Sequence, residues 1–152
     1  MRALLLALSL MLLPTASAQP KELLMHHAHG TFNVKVAPLS PASAEGIARY
    51  SLDKELHGEI EGTSKGEMMS AGDPKSGNAG YVAMEVITGT IAGKHGSFAL
   101  QHSSTMTAGL PAMDIKVVPG SGTGELKGIA GTFVIRIENG QHFYDFDYTL
   151  PA

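Results

Sequence analysis

The sequence predicts an all-β protein, with about eight short antiparallel strands closed into a barrel or packed as a sandwich. Three observations carry this. Alternation of apolar and polar residues with period two recurs along the chain, whereas a 3.6-residue period is hard to find. Glycine and proline clusters punctuate the alternating runs at short spacing. There is no cysteine, so the fold cannot lean on disulfides and must be held by packing. Closure into a barrel is favoured over an open sheet because it removes exposed edges.

The chain opens MRALLLALSLMLLPTASAQP. Arg2 supplies a positive start, Ala3 to Leu13 an apolar stretch, and Ala16-Ser17-Ala18 small residues for cleavage. This is the pattern of a secretory signal cut after Ala18, and it is too short for a membrane anchor, which needs roughly 20 apolar residues. The expected organisation is a signal peptide over 1–18, a flexible N-terminal segment over 19–28 and one barrel domain over 29–152. The expected destination is the periplasm or the medium. About 134 residues remain after cleavage, enough for one domain with a real core. The formal net charge of −3 leaves no electrostatic footprint for nucleic acid or an anionic membrane.

The strands follow in order. Thr31 to Val36 form the first, ended by Pro38 and Pro41, and residues 41–48 (PASAEGIA) are expected to make one helical turn. Tyr50, Leu52, Leu56 and Ile60 then alternate with Ser51, Asp53, Glu55, His57 and Glu59. Residues 72–79 (GDPKSGNA) form a loop. Tyr81 to Ile91 and Ser97 to Met106 are two further runs, joined by Ala92 to Gly96. Met113, Ile115 and Val117 alternate with Asp114 and Lys116. Phe133, Ile135 and Ile137 share one face of the next strand. Asn139-Gly140 is a hairpin signal. The last strand sets His142, Tyr144, Phe146, Tyr148 and Leu150 against Asp145, Asp147 and Thr149.

The stretch VVPGSGTGELKG places Gly120, Gly122, Gly124 and Gly128 close together, but it does not cradle a phosphate. A dinucleotide fingerprint needs glycine where Glu125 stands, and a P-loop needs glycine where Lys127 stands. A strand follows, not the helix whose N-terminus would hold the anion. The stretch reads as a turn between strands. Gly66-Glu67-Met68 and Gly124-Glu125-Leu126 form a weak echo, explained equally well by similar barrel corners or by chance.

Candidate chemistry is sparse. His26, His27 and His29 form the densest histidine cluster, with His27 and His29 on one face, but no second group of ligands accompanies them. A frayed polar terminus is the expected reading, with no metal and no cofactor. His102 shares a face with Phe98 and Leu100, and Glu85 sits mid-strand among apolar neighbours. If Glu85 points inward, burial raises its pKa and makes it an acid or base. Glu85 and His102 are therefore the catalytic candidates, and Glu67, Tyr81, Gln101 and Glu125 the ligand-binding candidates. Val82, Met84 and Val86 oppose Tyr81, Ala83 and Glu85, so both faces of this strand look covered. A ligand-bearing lumen with a subunit contact outside, or simple core packing, accounts for that.

The blocks GEIEGTSKGEMMSAG, GYVAMEVITGTIAGKHGSFALQH, VVPGSGTGELKGIAGTF and YDFDYTL, in that order, resemble the uncharacterised bacterial family called domain of unknown function 3224. The resemblance runs from about residue 29 to residue 150. It implies a single antiparallel eight-stranded closed β-barrel with a lumen, of the allene-oxide-cyclase or lipocalin-like kind, and it implies no established activity. The wider barrel class includes proteins that bind apolar or phenolic molecules and steer their cyclisation or coupling, which is an analogy of fold alone. The chain departs from typical members in carrying a secretory signal and in having Ser104 where they continue with glycine. The leading expectation is a secreted or periplasmic barrel that binds a small apolar molecule in its lumen. The alternatives are a cofactor-independent isomerase or cyclase using Glu85 and His102, and a structural module that self-associates into a homo-oligomer.

Overall fold

The computed structural model describes residues 23–151. The signal-peptide expectation over 1–18 lies outside them. Eight strands, β1 (Met25–Ala44), β2 (Ile47–Gly58), β3 (Ile60–Asp73), β4 (Asn78–Ile91), β5 (Lys94–Thr107), β6 (Leu110–Val117), β7 (Ala130–Glu138) and β8 (Gln141–Thr149), follow one another around a closed barrel. Every neighbouring pair is antiparallel, and β8 returns to pair with β1 from Met25↔Thr149 to Phe32↔His142. The barrel, not the sandwich, is the architecture.

Two local expectations change. Residues 41–48 make no helical turn. The β1–β2 hairpin runs past Pro38 and Pro41 and turns at Glu45-Gly46, where Gly46 takes a φ of 79° that favours glycine. Cross-strand pairing thus extends the strand beyond the prolines expected to end it. At the other end of β1 the strand begins at Met25, so the last residues of the segment set at 19–28 are paired strand. The histidines there are not frayed. His26 stacks on Tyr148, and His27 and His29 reach Asp147 and Glu59 respectively. Among the described residues no group of three metal-ligating side chains comes together.

The two ends of the barrel differ. At one end the strand-linking loops are those at residues 58–59, 92–93 and 118–129. Here the lumen is filled by Phe32, Leu56, Ile60, Ile91, Phe98, Phe133, Tyr144 and Phe146, each no more than 4% exposed. The rings of Phe98 and Phe146 stack with centroids 5.5 Å apart. The glycine-rich stretch completes this end. Its Thr123 N–H donates to the Ser97 carbonyl at 2.8 Å, and its Ser121 hydroxyl accepts from Ala99 N–H at 3.0 Å. It takes over strand pairing along β5 where β6 and β7 share only Lys116↔Thr132. The 3-10 turn Gly124–Leu126 then drives Leu126 and Ile129 into the core like a stopper. The stretch is the turn region the sequence suggested. The Gly-Glu-apolar echo is not a repeated corner, since Gly66-Glu67-Met68 lies within β3.

At the opposite end, the turns at 45–46, 74–77, 108–109 and 139–140 surround an open mouth. Gly109 N–H donates to the Gly77 carbonyl at 3.0 Å and ties two of these turns together.

Candidate functional site

Side-chain parity decides which residues see the lumen. On β4, Ile87 and Ile91 point into the packed end, so Tyr81, Ala83 and Glu85 point inward on the same face. The bulkier Val82, Met84 and Val86 face out. On β5 the inward set is Phe98, Leu100, His102 and Ser104. On β2 it is Leu52, Lys54 and Leu56, and on β3 it includes Ile60 and Ser64.

Four of these residues meet halfway down the lumen. Lys54 Nζ donates to Glu85 Oε1 at 2.7 Å. His102 Nε2 lies 2.8 Å from the same oxygen. The Ser64 hydroxyl donates to Oε2. Glu85 and His102 are each 2% exposed and Ser64 1%, and Lys54 is also buried. The Lys54 ammonium lies 4.8 Å from the centre of the Phe32 ring, a second favourable contact for its charge. Room for the carboxylate comes from Gly66, which pairs with Glu85. A Cβ on Gly66 would stand 2.6 Å from the Glu85 Cβ.

This network reverses the expected titration of Glu85. Burial does push its pKa up, and it is the largest single influence. The hydrogen bond from His102, the charge and hydrogen bond of Lys54 and the Ser64 hydroxyl together outweigh it. They hold the carboxyl down to about 2. Glu85 is therefore a carboxylate at neutral pH, and the facing His102 Nε2 carries the proton it accepts. A group so firmly ionised is a poor general acid or base. It is the fixed centre that positions Lys54 and His102.

Above the network the lumen widens into a cavity of about 750 Å³ that opens at the mouth. Its wall is mostly apolar, with Val36, Ile47, Met68 and Met106 among the larger contributors, and Tyr50, Tyr81, Ser70 and Ser104 supply hydroxyls. Tyr81 and Ser104 lie on adjacent strands in direct register. Burial, then the negative charge of Glu85, push the Tyr81 phenol above its ordinary pKa, and the Ser104 hydroxyl partly offsets them. Tyr81 thus stays a neutral donor.

Of the six residues singled out from the sequence, the fold brings together Glu85, His102 and Tyr81. The other three are corrected. Glu67 points outward on β3 and pairs with Arg49 at 2.7 Å, because its parity opposes that of Ile60 and Ser64. Gln101 lies between Leu100 and His102 and so faces solvent. Glu125 sits at the packed end, where its Oε2 accepts from His95 N–H at 2.9 Å and anchors the stopper turn. Lys54, Ser64 and Ser104 are site residues that the sequence reading passed over. The signal for Lys54 was present, since it stands between Leu52 and Leu56 on one strand face.

A closed antiparallel meander with one packed end, one open end and a buried charged network between them is a small blind-ended β-barrel. Residues 28–148 match the family described as "Protein of unknown function (DUF3224)", and the chain belongs to that family. It is similar to the crystal structure of a DUF3224-family protein of unknown function from Shewanella oneidensis MR-1. The two share 45% sequence identity with a TM-score of 0.77, over 84% of this chain and 98% of the Shewanella chain. No curated protein matches the chain significantly.

Proposed function

We propose that this barrel is an exported protein that binds a small, mostly apolar molecule in the open half of its lumen. The observation that carries the reading is the cavity of about 750 Å³, inside the range of roughly 300–1,000 Å³ typical of small-molecule sites. Its mixture of apolar wall and a few convergent hydroxyls fits a ligand that is enclosed by burial and oriented by Tyr81 and Ser104. Binding accounts for the site better than turnover does. Glu85 is locked as a carboxylate, and neither it nor His102 forms part of the cavity wall. Export rests on the N-terminal pattern of Arg2, the apolar stretch and Ala16-Ser17-Ala18.

Native mass spectrometry on protein purified from its own host without refolding tests the reading. A retained organic mass is expected, and Ala48→Trp, which fills the cavity from β2, is expected to abolish it while the barrel still folds. A clean apo mass, together with no saturable uptake of an apolar fluorescent probe, would end the proposal.

A second reading, self-association, is supported by the outer wall. Val82, Met84 and Val86 are 55%, 52% and 47% exposed in a row on β4, with Met69 of β3 beside Val82. Contiguous apolar surface of this kind commonly marks an interface. Sedimentation velocity should then give a dimer or higher assembly for the native chain and a monomer for Met84→Asp. A native chain that sediments as a monomer at high concentration rejects this reading.

A further inference from the structure

We infer that the lumen selects a ligand whose polar end is uncharged, a hydroxyl or carbonyl on an otherwise hydrocarbon body, and rejects the carboxylate or ammonium of the same body. The inference rests on the mouth cavity being the ligand site. Its basis is the charge inventory of that cavity. No Lys, Arg or His is part of the wall among the described residues, and the one charged side chain there is Glu45, at the exposed β1–β2 turn. Lys54, the buried lysine among the described residues, has its charge already matched by Glu85 at 2.7 Å. Both oxygens of Glu85 are engaged in turn, Oε1 by Lys54 and His102 and Oε2 by Ser64. The opposite charges of the network are thus matched within it. The network offers an incoming anion no free cation and an incoming cation no free carboxylate.

Apart from Glu45 at the exposed rim, what the wall offers is neutral. The Tyr81 phenol is held protonated by burial and by the charge of Glu85, and the Ser104 hydroxyl stands opposite it in register. Hydroxyls both donate and accept, so they serve an alcohol or a ketone equally. An ionised end group buried beside them would lose its hydration without gaining a counter-charge, a cost far larger than two hydroxyl contacts repay.

The test is a matched series on the full mature chain: dodecanol, dodecanoate and dodecylammonium, below their aggregation concentrations and at a pH where the last two are ionised. Competition against an apolar fluorescent probe reads the affinities. Dodecanol should bind at least about tenfold more tightly than either charged analogue, the smallest gap that an unpaired buried charge would leave. Met68→Lys places an unmatched cation in the cavity wall and should raise dodecanoate affinity to that of dodecanol or beyond. Equal or preferential binding of dodecanoate or dodecylammonium by the native chain overturns the inference while leaving the lumen a ligand site. So does a Met68→Lys protein that shows no gain for dodecanoate. If none of the three competes with the probe and the probe itself does not bind, the lumen reading fails instead.

Discussion

Glu85→Gln is expected to lower the folding stability at neutral pH by roughly 3–5 kcal/mol, because it strands the Lys54 ammonium in the interior. The pair is buried on both sides, with side-chain exposures of 7% for Lys54 and 1% for Glu85. An exposed pair would be worth a small fraction of this, since water screens it and solvates either partner left behind. In the lumen no such relief is at hand. The Phe32 ring helps Lys54 but does not replace a full negative charge. The glutamine amide keeps one oxygen and turns the other into an NH2 donor, so either the Lys54 and His102 side or the Ser64 side also loses its acceptor. The double variant Lys54→Met, Glu85→Gln removes both charges and keeps similar volumes, so it should recover most of the loss. Urea denaturation of the native chain, the two single variants and the double variant closes the cycle. Additive losses, with the double variant weaker than either single one, would mean that the two charges do not rely on each other.

The fold was legible from alternation because most strands carry an apolar beacon on one face only. Tyr144, Phe146 and Tyr148 opposite Asp145 and Asp147 leave no choice of parity in β8. The inward facing of Glu85 was readable by the same logic. Ile87 and Ile91 alternate with Thr88 and Thr90 further along β4, and they fix the face that Glu85 shares. The bulk of Val82, Met84 and Val86 obscured it. Gln101 could have been excluded by its place between Leu100 and His102. Glu67 could not be excluded so easily, because β3 carries Met68 and Met69 side by side and its remaining inward positions are small. Lys54 was missed for a physical reason: a lysine in an amphipathic strand is ordinarily a solvent residue. Its place between Leu52 and Leu56 set it on the inward face, and its partner Glu85 on another strand is what lets the charge stay there. Which end of the barrel is sealed is likewise a long-range fact. It depends on Leu126 and Ile129, which arrive from a loop whose sequence shows glycine turns and gives no hint of where they dock.

The largest pH effect on the barrel should come from the same carboxylate, and its sign follows from the direction of the shift. The Glu85 carboxyl is held at about 2 in the folded chain, against an ordinary value of 4.5. A group whose pKa is lowered by folding binds fewer protons in the native state than in the unfolded one. Its contribution is therefore fully present above the unfolded value and disappears as pH falls through the folded one. A shift of this size corresponds to about 3 kcal/mol, in line with the loss expected for an unpaired Lys54 at neutral pH. Between about pH 4.5 and pH 2 the native chain should lose this increment, while Glu85→Gln, which has no carboxyl there to titrate, should lose only what the other acidic groups cost. Denaturation midpoints of the two proteins, followed from neutral pH downward, should therefore converge. If the gap between them stays constant to pH 2, Glu85 is not held as a carboxylate by its partners. The matched charge network would then have to be abandoned, and with it the physical basis for a lumen that prefers an uncharged ligand.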